Sequence, residues 1–404
     1  MKHLCVAIVL IAGSVTLPID PLWNRSAFAQ GDISAREAFE AAKNLGTPEA
    51  WNAFLTTFPT GFYADLARAY LKKLADGGTA APPTPTPAAV PAAPPRAPAG
   101  SVVVSAGDKK PTVELGANAS LKGARLLPDD SHWHQDISKA PVDRNSARIL
   151  ARIGDKPLHP AFGTEWEGVP VGIPYVVVNG TQRRVPITFT YADESDPGPY
   201  PIPPNAPIEG GPKGDGDRHV LVLDRDNWML YELFNAFPQP GGAWKADSGA
   251  IWDLKKNQVR PDRWTSADAA GLPVLPGLIR YDELVGAQAL EHAVRFTLTK
   301  TRRAYVPPAS HWASKFFDED LPPMGMRVRL KAGYDVSGFA PQIQIILRAL
   351  KKYGMILADN GSDNFVGGVN DMRWDPDILR QLKRVTTKDL EVVEMKDMVV
   401  DRRK

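Results

Sequence analysis

Cysteine is almost absent from this 404-residue chain, in which Cys5 is the only one. One cysteine cannot form an intramolecular disulfide, and its place near the amino terminus leaves the rest of the chain without a thiol nucleophile. We therefore expect a disulfide-free fold that depends on its hydrophobic core. The roughly 300 residues after position 100 are enough to bury such a core.

Charge runs and a common catalytic motif are missing as well. Lys and Arg number 48 against 46 Asp and Glu, without a long basic run, which argues against nucleic acid as a partner. No Gly-x-Ser-x-Gly segment occurs, and this disfavours a serine protease or esterase. No apolar run reaches the roughly 20 residues that a helix needs to span a bilayer, so no membrane span is predicted.

The amino-terminal residues carry an export pattern. Lys2 precedes an apolar run over residues 4–17, and the small-x-small sequence Ala27-Phe28-Ala29 follows. A basic start, a short apolar segment and such a site are typical of a cleaved secretory signal. The pattern predicts a signal peptide over residues 1–29 and an extracytoplasmic protein, either periplasmic or secreted.

Residues 31–76 predict a small helical unit. Thr47 is placed to cap a helix, Pro48 suits the first helical position, and Trp51 and Phe54 form an apolar stripe. The unit resembles the short tetratricopeptide-like helical units of secreted bacterial proteins. We expect it to dock another protein or to dimerise.

Residues 77–100 contain eight prolines among alanines and threonines, which predicts an extended linker. Residues 101–404 then form the main domain. Two late helices are predicted, over Pro341–Tyr353 and over residues 375–382. The predicted strands are short β-branched or aromatic runs bounded by turn residues: 102–104, 174–178, 185–191, 219–223, 229–234, 294–298, 326–330 and 355–358. The pattern favours a mainly β fold, a β-sandwich or a barrel, preceded by the all-α unit.

A β-hairpin provides the first candidate for catalysis. Two apolar runs, 219–223 and 228–234, flank four polar residues. The turn predicts that His219 pairs opposite Glu232, and that both side chains lie on one face of the sheet. An imidazole and a carboxylate in apolar surroundings suit acid–base catalysis. The alternative is a polar pair at the sheet margin.

An acidic segment provides the second candidate. Asp193, Glu194 and Asp196 follow a predicted strand, flanked by Tyr191 and Tyr200. Paired carboxylates perform glycoside hydrolysis, and they also bind calcium. The alternative is a solvated, proline-stiffened loop.

Three further patterns are weaker. Asp247 and Trp252 lie in a segment that could line the same cleft, so we predict that they bind substrate together with Tyr191 and Tyr200. His132 and His134 resemble half of a metal site, but no further ligands are identified, and we predict neither a metal nor a cofactor. Five tryptophans near glycine, proline or charged residues could hold sugar rings or belong to the core: Trp244, Trp252, Trp264, Trp312 and Trp374.

Several segments carry a family resemblance: Leu158–Thr164, Ile173–Tyr175, Asp193–Pro203, His219–Phe234, Asp247–Leu254, Gly271–Gly277 and Tyr353–Ser362. In these segments the chain resembles a family of secreted microbial proteins of uncharacterised function. The resemblance implies one module over about 125–395, and it implies no catalytic residue.

These observations favour a carbohydrate-active domain, a glycoside hydrolase that acts on a polysaccharide or cell-wall glycan. Glu232 and one of Asp193, Glu194 or Asp196 would serve as the acid and as the base or nucleophile. His219 would tune Glu232. The alternative function is a non-catalytic envelope or polysaccharide-binding protein.

Overall fold

The structure is a computed structural model that describes residues 39, 42, 47–58, 64, 67, 68, 71 and 113–400. The chain divides into two units, residues 1–81 and 82–404. The predicted signal peptide, the linker and the strand at 102–104 lie outside the described residues. Among the helices of the described residues, none has the length and apolar character needed to cross a membrane.

In the first unit, helix α1 spans Pro48–Thr57 and begins as the sequence predicts. The Thr47 hydroxyl accepts a hydrogen bond at 3.3 Å from a first-turn backbone N–H, and proline occupies the first position. Trp51 and Phe54 are buried and contact Phe39. The predicted cap and apolar stripe are both confirmed.

The second unit is mainly β. Its strands in the described residues are β1 (Gly116–Ala117), β2 (His159–Ala161), β3 (Glu165–Trp166), β4 (Val169–Pro170), β5 (Tyr175–Val178), β6 (Ile187–Phe189), β7 (Val220–Asp224), β8 (Met229–Phe234), β9 (Phe237–Pro238), β10 (Trp244–Ala246), β11 (Ser248–Asp253), β12 (Val294–Leu298), β13 (Ala304–Tyr305), β14 (Arg327–Leu330), β15 (Met355–Asn360), β16 (Phe365–Gly367), β17 (Leu390–Val392) and β18 (Val399–Val400). Each of the seven strands predicted between residues 174 and 358 is present, with small shifts at its ends.

These strands form several sheets. A five-stranded sheet has the order β1-β5-β7-β8-β11, and a six-stranded sheet has the order β17-β14-β15-β12-β16-β2. Both are mixed, because β5 runs parallel to β7 and β12 runs parallel to β15. A three-stranded sheet, β6-β10-β9, and two two-stranded pairs, β13-β18 and β3-β4, complete the set.

In the part of this unit that the structure describes, three α-helices accompany these sheets: α2 (Ser146–Ile153), α3 (Pro341–Lys352) and α4 (Pro376–Arg380). The two late helices are confirmed, and both have proline in the first turn. The sequence analysis did not predict α2. Only Ser146 and Ile149 of this helix are buried, so its apolar stripe is narrow.

The five-stranded sheet is covered on both faces. Leu221 and Leu223 of β7 belong to one hydrophobic cluster, while Val220 and Val222 belong to another on the opposite face. A strand buried on both sides reads as a continuous apolar run, as β7 does. A third and larger cluster surrounds the six-stranded sheet and α3.

The hairpin of β7 and β8 forms, but its register differs from the predicted one. Leu221 pairs with Glu232 and Leu223 pairs with Leu230, a shift of two residues. The predicted pairing of His219 with Glu232 is therefore wrong. The shared face is kept because side chains alternate with period two. The ring of His219 instead lies 5.7 Å from the ring of Phe234.

Candidate functional site

Glu232 is enclosed in the core. Its carboxylate accepts hydrogen bonds from the backbone N–H groups of Val274 and Leu275, at 2.9–3.0 Å, and from Trp252 Nε1 at 2.9 Å. Burial raises the pKa of Glu232 to about 7, although these hydrogen bonds oppose the rise. The side chain is 0% exposed. Its hydrogen bonds connect β8 to the segment around Val274. Its predicted role as an acid stays a prediction.

The imidazole of His219 has a different partner from the predicted one. Its Nδ1 atom lies 2.6 Å from Glu209 Oε2, and its Nε2 atom lies 2.9 Å from the Ala267 carbonyl oxygen. A carbonyl oxygen can only accept, so Nε2 donates, and Nδ1 donates to the carboxylate. The ring therefore carries both protons and a positive charge. His219 is a fixed cation rather than a base.

The pKa values of this pair agree with the geometry. Burial alone would lower the pKa of His219, but the charge of Glu209 and their hydrogen bond outweigh it and raise the pKa to about 10. Burial likewise opposes ionisation of Glu209, and His219 overcomes it and lowers the pKa of that carboxyl. The two groups form an ion pair at neutral pH, in which the imidazole is buried and the carboxylate is partly exposed.

Glu209, Asp217 and His219 each bring one possible ligand atom within 4.8 Å of the others, a grouping that a metal ion could share. A metal ion needs about 2.0–2.2 Å to each nitrogen and oxygen ligand. The 2.6 Å between His219 Nδ1 and Glu209 Oε2 leaves no room for an ion between them. A protonated imidazole also has no lone pair to offer. The three residues do not fit a metal in this arrangement.

A second ion pair lies next to the first. Arg295 of β12 donates through Nε to Asp268 Oδ2 at 2.9 Å, and through a terminal nitrogen to the other carboxylate oxygen. Both residues are buried. Burial alone would lower the pKa of Arg295, and the charge of Asp268 outweighs it and raises that pKa. A bidentate pair of this kind fixes both side chains.

Asp268 belongs to a connecting segment, residues 265–271, that joins residues from the five- and six-stranded sheets. Four further hydrogen bonds hold the segment. In two of them the segment donates: Thr265 N to Glu194 Oε2 at 3.2 Å, and Ala270 N to the Ala358 carbonyl oxygen at 2.9 Å. In the other two its carbonyl oxygens accept: that of Ser266 from Ser248 Oγ at 2.7 Å, and that of Ala267 from His219 Nε2 at 2.9 Å. The segment therefore brings together residues that lie far apart in the sequence.

Asp359, near the end of β15, completes a group of four carboxyls. Burial raises its pKa well above the usual range, and the charges of Asp268 and Asp217 raise it further. Arg295 and His219 act in the opposite direction but do not cancel the rise. Asp359 is half-buried and Asp217 is exposed, so both can meet solvent. Glu209, Asp217, Asp268 and Asp359 are called the carboxyl cluster below.

The acidic segment predicted as a second candidate is tied down by an arginine. Asp196 forms an ion pair with Arg260 and accepts a hydrogen bond from Ile251 N at 2.8 Å. The backbone carbonyl of Glu194 also accepts from Arg260, at 2.8 Å. Asp193 is exposed on a short 3₁₀ helix. The structure thus places Glu194 against the connecting segment and Asp193 in solvent.

The residues predicted to bind substrate are mostly structural. Tyr200 and Trp252 are buried, and Asp247 accepts from Thr190 Oγ1 at 2.6 Å and from Asn235 Nδ2 at 2.7 Å. Tyr191 remains exposed, at 46%. Their predicted role in substrate binding stays a prediction.

The tryptophans and the two histidines singled out in the sequence are also mostly structural or apart from one another. Four of the five singled-out tryptophans are buried and Trp264 is half-buried, so most of them belong to the core. His132 and His134 lie on one short 3₁₀ helix but line different surface cavities. Asp359 lies near the end of β15, directly before the turn over residues 361–364.

Sequence reasoning missed most of the carboxyl cluster. Asp268 and Asp217 stood in no recognised motif, and Arg295 was counted only as part of a strand. A charged residue inside or directly after an apolar strand was the available signal, as with Arg295 in β12 and Asp359 in β15. That signal does not say which partners the charges meet.

No protein-family model, curated protein or solved structure matches this chain in comparisons with known proteins. The resemblance to secreted microbial proteins therefore stays a prediction. The functional conclusion has to come from the carboxyl cluster itself.

Proposed function

We propose that this protein is a carbohydrate-active hydrolase whose acid is Asp359 and whose base is Asp217. The observation that carries the proposal is the raised pKa of a half-buried carboxyl beside two other carboxyls. Such a carboxyl keeps its proton to a higher pH than an ordinary carboxyl does, so that it can act as an acid beside an ionised neighbour. A protonated acid and an ionised base side by side are what glycoside hydrolysis requires.

In the proposed reaction, Asp359 donates its proton to the glycosidic oxygen as the bond from that oxygen to the anomeric carbon breaks. Asp217 removes a proton from a water molecule, whose oxygen bonds to the anomeric carbon. Exchange of protons with solvent then restores both groups. Asp217 takes the role of base because it is exposed, whereas Asp268 is fully buried.

The two ion pairs support this assignment. Arg295 holds Asp268 and His219 holds Glu209, so these two carboxylates have fixed positions and fixed charge. The charge of Asp268 raises the pKa of Asp359, which favours the protonated acid. Neither Glu232 nor the exposed Asp193 takes part in this scheme.

The choice of a glycan as substrate extends the sequence interpretation. The export pattern and the proline-rich linker suit an extracytoplasmic protein that acts on a polysaccharide or cell-wall glycan. The helical unit would dock a partner or dimerise. Within this proposal the main domain is a sandwich-like module, in which Asp359 lies in β15 of the six-stranded sheet and Asp217 lies just before β7 of the five-stranded sheet.

The alternative, a non-catalytic polysaccharide-binding protein, is favoured by one observation. Glu209 and Asp268 each have a cationic partner, as in a network that only stabilises the fold. In that case Asp359 would lack a catalytic role, and its substitution would change stability alone.

The test is incubation of the full chain with a panel of polysaccharides, in which new reducing ends and retained protein are measured together. We expect Asp359→Asn to abolish the new reducing ends. Asp377→Asn, an exposed carboxyl on α4, is the matched control and should leave them unchanged. Protein that is retained on a polysaccharide without producing new reducing ends would indicate a polysaccharide-binding protein. Cleavage that survives in Asp359→Asn would overturn the site.

A further inference from the structure

The sequence Asn-Gly occurs twice in this chain, at residues 179–180 and 360–361. An asparagine followed by glycine can lose its side-chain amide, because glycine has no side chain to hinder attack by its backbone nitrogen on the amide carbon. The structure places the two sequences in different surroundings. Asn179 begins a turn at the surface directly after β5, whereas Asn360 is the last residue of β15.

The backbone nitrogen of Gly180 lies against a carboxylate. This nitrogen donates a hydrogen bond to Asp226 Oδ2 at 2.9 Å. Asp226 belongs to the loop between β7 and β8, and the parallel pairing of β5 with β7 brings that loop beside Gly180. Arg225 N donates to the Val178 carbonyl oxygen at 3.0 Å and holds the two segments together. Asp226 is therefore positioned to remove the proton from the attacking nitrogen.

The side-chain oxygen of Asn179 accepts hydrogen bonds from two donors. Thr181 N and Thr181 Oγ1 donate to Asn179 Oδ1 at 3.1 and 2.8 Å. Negative charge develops on this oxygen when a nucleophile adds to the amide carbon, and such donors stabilise that charge. The turn thus brings together a base for the attacking nitrogen and donors for the oxygen of the reacting amide.

Asn360 has different partners. Its Nδ2 atom donates to the Ala313 carbonyl oxygen at 2.6 Å, and its Oδ1 atom accepts from Thr301 Oγ1 at 2.8 Å. The N–H group of Gly361 donates to the Leu298 carbonyl oxygen at 3.0 Å, and a carbonyl oxygen is a much weaker base than a carboxylate. Both ends of this amide are held in place, so the structure protects Asn360.

We propose that Asn179 is a site of spontaneous deamidation in which Asp226 acts as the base. Gly180 N bonds to Asn179 Cγ as its proton passes to Asp226. The bond from Cγ to Nδ2 then breaks, and Asp226 returns the proton to Nδ2, which leaves as ammonia. Water opens the resulting five-membered succinimide ring at either carbonyl, which gives aspartate or isoaspartate at this position. This modification does not depend on the proposed hydrolase function.

The test follows both asparagines in the same sample. The full chain is incubated either folded in neutral buffer or unfolded in urea, and peptides that contain each asparagine are followed by mass spectrometry. In urea the two rates should be similar, because both asparagines precede glycine. In the folded chain we expect Asn179 to deamidate at least about tenfold faster than Asn360. Equal rates in the folded chain, or a faster rate at Asn360, would overturn the proposed site.

Two variants test the groups that act on Asn179. Asp226→Asn removes the base and Thr181→Val removes one donor, so each should slow deamidation of Asn179 by about tenfold. Asp377→Asn on α4 is the matched control and should react as the parent does. The rate at Asn360 reports on folding, because it rises to the rate in urea if a variant unfolds. An unchanged rate at Asn179 in folded Asp226→Asn would contradict the proposal.

Discussion

Among the described residues, Glu232 and Asp359 both have a raised pKa, but their surroundings differ. Glu232 is fully enclosed and accepts hydrogen bonds from two backbone N–H groups and one indole. Asp359 is half-buried and faces the charges of Asp268 and Asp217. Burial raises the pKa of both, but only Asp359 has a path to solvent. A raised pKa alone therefore does not identify an acid catalyst, and access decides between the two.

The largest effect is expected when the Asp268 ion pair is broken. Arg295→Met leaves a fully buried carboxylate without its cation, which should lower the free energy of unfolding by about 3–5 kcal/mol. Urea unfolding at neutral pH measures this change. Arg380→Met removes an exposed partner of Asp377 and should cost less than about 1 kcal/mol. A loss below 1 kcal/mol in Arg295→Met would show that Asp268 does not need this partner.

The next effect concerns pH. Glu232 has a folded pKa of about 7 against an ordinary value of 4.5. Its contribution to stability is complete below pH 4.5 and is lost as pH rises through 7, by about 3 kcal/mol in total. His219 has a folded pKa of about 10 against an ordinary value of 6.5. Its contribution to stability is complete below pH 6.5 and is lost as pH rises through 10. Unfolding free energies at pH 5, 7 and 9 measure the two losses.

The variant Glu232→Gln tests whether Glu232 causes the loss of stability between pH 5 and 7. Its stability should fall less than that of the parent between pH 5 and 7, because its side chain does not titrate. Its loss between pH 7 and 9 should remain. Identical slopes in the parent and the variant over pH 5–7 would contradict the pKa assigned to Glu232.

A smaller effect is expected on stability at neutral pH itself. Glu232→Gln places an amide against three N–H donors and should lower the free energy of unfolding by about 2 kcal/mol. Any hydrolytic activity should be unchanged, unlike in Asp359→Asn. Loss of activity with an intact fold would return Glu232 to the catalytic site.

The smallest effect is expected at Asp193. This residue is exposed, so Asp193→Asn should change the free energy of unfolding by no more than about 0.5 kcal/mol. Asp196→Asn offers the contrast within the same segment, because Asp196 pairs with Arg260, whose side chain is 1% exposed. Equal effects of the two substitutions would show that the ion pair with Arg260 contributes nothing.

The sequence predicted local structure well and contacts poorly. The cap at Thr47, the two late helices and the strands of the hairpin follow from residue patterns within a few positions. The hairpin register was wrong by two residues, which preserves the face of each side chain but changes its neighbour. That shift alone separates His219 from Glu232.

The sequence by itself determined which segments are apolar, where the two late helices and the strands predicted between residues 174 and 358 lie, and that Arg295, Asp359 and His219 lie in or beside strands. Tertiary structure decided the partners of these charges. Asp268 meets Arg295 across 27 residues of chain, and Ala267 meets His219 across 48. Local patterns record only neighbours within a few residues, whereas the free energy of a buried charge depends on every group that the fold brings against it. Access to solvent is a property of the whole fold in the same way, and it distinguishes Asp359 from Glu232.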